Sequence, residues 1–222
     1  MPIYNSALKS IDTAETRRYA GLNKSSFNEE TINEACMEAQ LLAQPQGIWQ
    51  LYDYDSCTST VKAEPDFPLM GTKICHHLKN AEKVILLAVT IGNAIEETIT
   101  KHFKEGLYSY SLLLDAAATT AVEQAADEME KTLHQQFDAQ GYTMRWRFSP
   151  GYGDWDIKNQ PELMRLSHAT EIGIALTSSM MLQPRKSITA IIGLLPNSSE
   201  NTLFNKQGCK TCNKLDCISR KN

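Results

Sequence analysis

The chain has 222 residues, 42% of them hydrophobic, and its 22 Lys plus Arg against 26 Asp plus Glu give a formal charge of -4. This is enough apolar material for one ordinary soluble domain, and no basic stripe interleaved with aromatics offers itself to a phosphate backbone, so nucleic acid is not an expected partner. No apolar run approaches the ~18 residues that span a bilayer, and the opening MPIYNSALKS carries neither the charged nor the apolar region of a secretory signal, so no membrane association and a cytoplasmic location are expected.

In chain order, Ser10 to Leu22 reads as a short helix with Asp12 and Glu15 in its opening turn, and a second helix runs from about Asn28 to Ala43, stopping before Pro45. Gly47 to Tyr54 has strand character. Asp53, Asp55, Ser56 and the prolines at 65 and 68 then make a broken polar stretch with a short strand. A helix near Met70 to Asn80 leads into a buried strand over Lys83 to Ile91, and Gly92 turns the chain into a helix ending near Lys104. The longest helix covers Ser111 to Ala139, where Leu114, Ala118, Val122, Ala125, Met129 and Leu133 recur at helical spacing. Its alanine-rich first half is small on several sides, so Glu123 there is a candidate functional charge.

The alternation Met144 to Phe148 predicts a half-buried strand with Arg145 and Arg147 on a shared face, ended by the turn Pro150-Gly151-Tyr152-Gly153. A guanidinium beside such a turn suits a carboxylate, which it can hold in two parallel hydrogen bonds. Asn159 to Thr170 reads as a helix with Pro161 in its first turn, and Gly173 to Met181 and Ser187 to Leu194 as strands around Pro184-Arg185-Lys186. Gly151-x-Gly153 lacks the third glycine of a dinucleotide fingerprint, which sets that fold aside.

The run Arg147-x-x-x-Gly151-Tyr152, followed by Leu176-Thr177-x-Ser179 and Pro184-x-x-Ser187, resembles the S-adenosylmethionine-binding activation, or reactivation, domain of cobalamin-dependent methionine synthase. The resemblance implies an α+β fold, a twisted and mainly antiparallel sheet flanked by helices, over residues 1–195, with 196–222 as a cysteine-containing tail. It implies S-adenosylmethionine bound by Glu123, Arg147, Pro150, Gly151, Tyr152 and Gly153, with cobalamin carried by a partner, either methionine synthase or another corrinoid protein, and a flavodoxin-type electron donor. The chain would then be a stand-alone accessory component that presents the ligand for reductive remethylation of oxidised cobalamin. Such a component contributes position and orientation rather than a general base or nucleophile. Asp154-Trp155-Asp156 follows the turn where the family has other residues, and Asp154 is a candidate for holding the ligand's amino group, with helix initiation as the simpler account.

Of six cysteines, Cys36, Cys57 and Cys75 are scattered, as in a chain of reduced thiols. Cys209-x2-Cys212-x4-Cys217, among basic neighbours, brings three thiols within reach of one zinc ion or iron–sulfur cluster, with a fourth ligand from Cys75, His76, His77, another subunit or an exogenous group. The alternative reading is therefore a metal-binding redox or docking module acting through this tail.

Overall fold

In a computed structural model of the chain, residues 3–5, 8–23 and 25–197 are described. The helices begin where capping side chains stand. Asp12 accepts hydrogen bonds from the Ala14 and Glu15 amides at the start of α1 (Thr13–Tyr19), and Asn28 accepts from Glu30 at the start of α2 (Glu29–Leu42). The chain continues through β1 (Gln46–Asp55), β2 (Thr60–Lys62), β3 (Phe67–Pro68), α3 (Thr72–His77), β4 (Lys83–Thr90), α4 (Ala94–Lys104) and α5 (Tyr108–Asp138). It ends with β5 (Tyr142–Met144), α6 (Gln160–Ser167), the short strands β6 (Ala175–Leu176) and β7 (Leu182–Gln183), and β8 (Ser187–Pro196).

Six strands form one sheet in the order β3-β2-β1-β4-β8-β5, every neighbouring pair antiparallel. Antiparallel strands often alternate apolar and polar residues, yet β4 is buried without a break from Val84 to Thr90. Helices on both faces explain this. On one face Ile85, Leu87, Val89, Ala190, Ile192 and Leu194 share a core cluster with residues of α5, α2 and α4, and α5 lies directly on the strands. On the other, Val84, Leu86 and Ile191 meet Ile74, Leu78, Trp155 and Leu163, and Ile48 and Ala88 meet Met164 and Ile172. The α5 helix has 31 residues and crosses the sheet with Ala117, Ala118, Ala121, Ala125 and Ala126 all buried. Its small side chains let α1 and α2 lie close on its far side.

Two expectations from the sequence are corrected. Gly173 to Met181 does not form a strand of the main sheet; Ala175–Leu176 pairs only with Leu182–Gln183 in a separate two-stranded hairpin. The Thr177 hydroxyl accepts the Met181 amide and bonds the Ser179 hydroxyl, so local side-chain bonds replace a longer ladder. Arg145 and Arg147 do not share a face. Met144 pairs with Leu194 and Phe148 with Ile191, so four steps along one strand match three along its partner. The extra residue is a bulge, and a slip of one residue exchanges the faces beyond it. Arg145 is buried with its Cγ near Gly193, on the side of Leu78 and Ala81, whereas Arg147 reaches α5 on the opposite side.

The bulge is held from outside the strand. His77, at the end of α3, bonds the Trp146 carbonyl through Nε2 at 2.8 Å, and its ring lies 4.6 Å from the Trp146 ring and 5.2 Å from that of Phe148. An N–H donor is required to reach a carbonyl, so His77 is protonated on Nε2. Burial is the main cause that pushes the His77 pKa down to about 4, with Arg145 and His76 adding to it and the Trp146 bond opposing it. The folded state therefore keeps the ring neutral while the unfolded chain takes up a proton below the ordinary value of 6.5. Stability is complete above that value and is lost as pH falls towards about 4, by on the order of 3 kcal/mol. Chemical denaturation at pH 7 and pH 4.5 should show this loss, and His77→Gln, which keeps an N–H donor, should flatten it. A Cβ at Gly193 would stand 2.9 Å from the Leu78 Cδ2 atom and 3.4 Å from Ala81 Cβ. Gly193→Ala should accordingly lower the unfolding free energy by about 1–3 kcal/mol in the same assay.

Candidate functional site

A cleft of about 740 Å³ opens between α5, the bulged segment, the Pro150 turn and the β6–β7 hairpin. Each wall has a separate structural origin. The turn closes on itself through Gly151 N–H donating to the Trp155 carbonyl at 2.7 Å and Tyr152 N–H to the Ser149 carbonyl at 3.2 Å. Trp155 is only 1% exposed and packs in the core under α3 and α6, so the turn is fastened to the interior by one large ring. Gly151 and Gly153 have φ of +89° and +61°, a region that side chains disfavour, and a Cβ on Gly153 would collide with Lys73 Cδ at 2.7 Å.

Asp154 settles the second end of this segment. Its carboxylate accepts the Thr72 amide at 2.7 Å and the Lys73 amide at 3.0 Å, both at the start of α3. It thus initiates a helix, although one 82 residues earlier in the chain; Asp156 caps the turn that follows, accepting from the Lys158 amide. With both oxygens engaged, Asp154 is a brace for the turn. Residues 145–154 are therefore tied to α3 twice, by Asp154 at its first residue and by His77 at its last.

Of the six predicted binding residues, Glu123, Arg147, Pro150, Tyr152 and Gly153 line the cleft, and Gly151 stands behind the turn against Ile157. Glu123 and Arg147 are in direct contact, at 2.7 Å between Oε2 and Nη2. The sequence reading missed two further partners: Arg147 Nη1 donates to Asp127 at 2.6 Å and to Glu130 at 2.5 Å. Their signal was available, because positions 123, 127 and 130 are spaced i, i+4, i+7 on one helix face. Burial works against the Arg147 charge, but the carboxylates of Asp127, Glu130 and Glu123 outweigh it and hold the guanidinium's pKa above its ordinary value. The Nε–H of Arg147 is used by none of the three.

The rest of the lining is mixed. Trp146, Phe148 and Tyr152 supply aromatic faces, and Tyr152 is 64% exposed at the rim. Lys186 enters from the start of β8 and bonds Asp115 and Thr119 of α5, each at 2.9 Å. Such a cleft suits a ligand with a flat ring at one end and a charged head at the other. Among the described residues there is no group of three or more His, Cys, Asp or Glu that could hold a metal ion, and Cys209, Cys212 and Cys217 lie outside them. Among those residues no helix is long and apolar enough to cross a membrane.

Comparison with known proteins agrees with this architecture. The structure of the MetH reactivation domain bound to AdoHcy superposes with a TM-score of 0.57 at 13% identity, covering 90% of this chain and 80% of that one, a likeness of fold. No curated protein matches the chain. The family described as vitamin B12 dependent methionine synthase, activation domain, matches residues 73–221, from α3 through the cleft and on beyond β8. The chain belongs to the activation-domain family of vitamin B12-dependent methionine synthase.

Proposed function

We propose that this protein binds S-adenosylmethionine in the cleft beside Arg147 and presents its methyl group to cobalamin carried by a partner, as a reactivation component. The observation that carries the reading is the convergence of Glu123, Arg147, Tyr152 and the Pro150–Gly153 backbone on one cleft in a chain of this family. The ligand is a zwitterionic amino acid joined through a sulfonium to adenosine. Its carboxylate takes the uncommitted N–H groups of Arg147, and its ammonium lies by Glu123, an acid–base pair matched to an amino-acid head. Tyr152 and the neighbouring rings pack on the adenine, and the turn backbone meets its polar edge. Cobalamin on the partner supplies the methyl acceptor; the chain's own residues hold the ligand, orient it and limit water around the sulfonium. The fit rests on the donor set, a guanidinium next to a carboxylate with aromatic walls. Residues 1–195 form the working domain in this reading.

Titration calorimetry should detect one S-adenosylmethionine per chain. Tyr152→Ala removes an exposed ring and should weaken binding about tenfold without lowering the melting temperature. Arg147→Lys keeps the charge but loses the planar fork, and should cost at least about 1.5 kcal/mol of binding. Absence of heat in the wild type, or unchanged affinity in both variants, overturns the assignment.

A further inference from the structure

We propose that Asp127 and Glu130 make the cleft select for positive charge on the ligand's sulfur, so that a sulfonium nucleoside binds in preference to the corresponding thioether. The inference rests on the proposed function and names what the site discriminates. Neither residue was among those expected to touch ligand; each acts through Arg147 as a specificity determinant.

Negative charge gathers around the Arg147 guanidinium, which lines the cleft with Glu123, whereas Asp127 and Glu130 lie outside the lining and bear on the cleft through their contacts with Arg147. Arg147 meets Glu123 at 2.7 Å, Asp127 at 2.6 Å and Glu130 at 2.5 Å, so three carboxylates against one guanidinium leave a formal charge of -2. One carboxylate would suffice to neutralise Arg147. Nearby cations do not cancel the remainder, because each has its own partner: Lys186 has Asp115 at 2.9 Å, Arg185 has Glu96 at 3.5 Å, and Lys131 has Glu128 at 3.8 Å. On the turn side Lys73 stands over Gly153, next to the carboxylate of Asp154. The surplus therefore sits at the Arg147 end of the cleft.

S-adenosylmethionine carries a carboxylate, an ammonium and a sulfonium, a net charge of +1, whereas S-adenosylhomocysteine carries the first two and is neutral overall. Their amino-acid heads and adenosines are the same, so contacts to those parts cancel when the two affinities are compared. What remains is the field at sulfur. A unit charge ~8 Å away at an effective dielectric of about 20 changes an affinity by roughly thirtyfold, and solvent around an exposed group reduces this several-fold. Asp127 is 58% exposed and Glu130 only 17%, so Glu130 is the stronger determinant. In transfer to a nucleophile, the nucleophile's lone pair forms the new bond to the methyl carbon, the C–S bond breaks and its electron pair stays on sulfur. The ligand's net charge falls from +1 to 0 at that moment, and the attraction that held it is withdrawn.

The test is calorimetry on the full chain with S-adenosylmethionine and S-adenosylhomocysteine in parallel, in wild type, Glu130→Gln and Asp127→Asn. Both substitutions retain an oxygen to accept from Arg147. The expected result is a wild-type preference for the sulfonium that falls about tenfold in Glu130→Gln and about threefold in Asp127→Asn, while Tyr152→Ala weakens both ligands and leaves the ratio unchanged. Should Glu130→Gln unfold, the exposed Asp127→Asn carries the test alone. A ratio that is the same in wild type and variants, with both ligands bound, overturns this inference and leaves the proposed function standing. Binding of neither nucleoside to the wild type removes the proposed function and this inference with it.

Discussion

The site depends on one extra residue between Met144 and Phe148. Without that bulge the strand opposite β8 would carry Arg147 to the same face as Arg145, into the apolar layer of Leu78 and Ala81. A guanidinium there would be removed from water and carried away from Glu123, Asp127 and Glu130. The bulge instead turns it towards α5, where Glu123, Asp127 and Glu130 stand on consecutive turns of one helix face. Bulges next to binding sites serve this purpose often, since they re-aim one side chain while the ladder resumes on either side.

A bulge is a local irregularity, and α3 holds this one in place. Six residues long, that helix receives the Asp154 carboxylate on its first amides and extends His77 from its last turn to the Trp146 carbonyl. The segment between these two contacts contains the arginine, the aromatic wall and the glycine turn. Trp155 adds a third attachment by filling the core beneath the turn. Under the proposed function, in which the chain only holds and orients its ligand, rigid support of this kind supplies the geometry on which that role depends.

Much of the framework was legible in the sequence. The helices at 29–42 and 108–138 and the strands at 46–55, 83–90 and 187–196 lie within a few residues of their expected limits, because long periodic segments with caps or β-branched runs leave little choice. The bulge was hidden for a physical reason: Met-Arg-Trp-Arg-Phe alternates as a regular strand would, and what breaks the alternation is a histidine 69 residues away. The same holds for Asp154, whose partners lie 82 and 81 residues earlier. Local signals marked it as a helix starter and were right about its chemistry, but they could not identify which helix. The hairpin at 175–183 read as a longer strand because apolar Ile174 and Leu176 and β-branched Thr177 favour one, whereas the Thr177 and Ser179 hydroxyls close a turn there. Arg147, Tyr152 and Gly153 line one cleft with Glu123, whereas Asp127 and Glu130 carry no motif and emerge only from the contacts of the guanidinium.

Sheet order has a consequence for how the protein comes into being. β8 lies between β4 and β5 although it follows every other strand along the chain. On a ribosome, β1 to β4 and α5 emerge while the gap that β8 will fill is still open, and the edge of β4 is exposed over its full length. Until β8 inserts, Arg147 has no opposing strand against which to bulge, so the cleft takes its shape only once that strand is in place. Chains that lack this strand would leave the edge of β4 bare, an open template for non-native strand pairing and for chaperones.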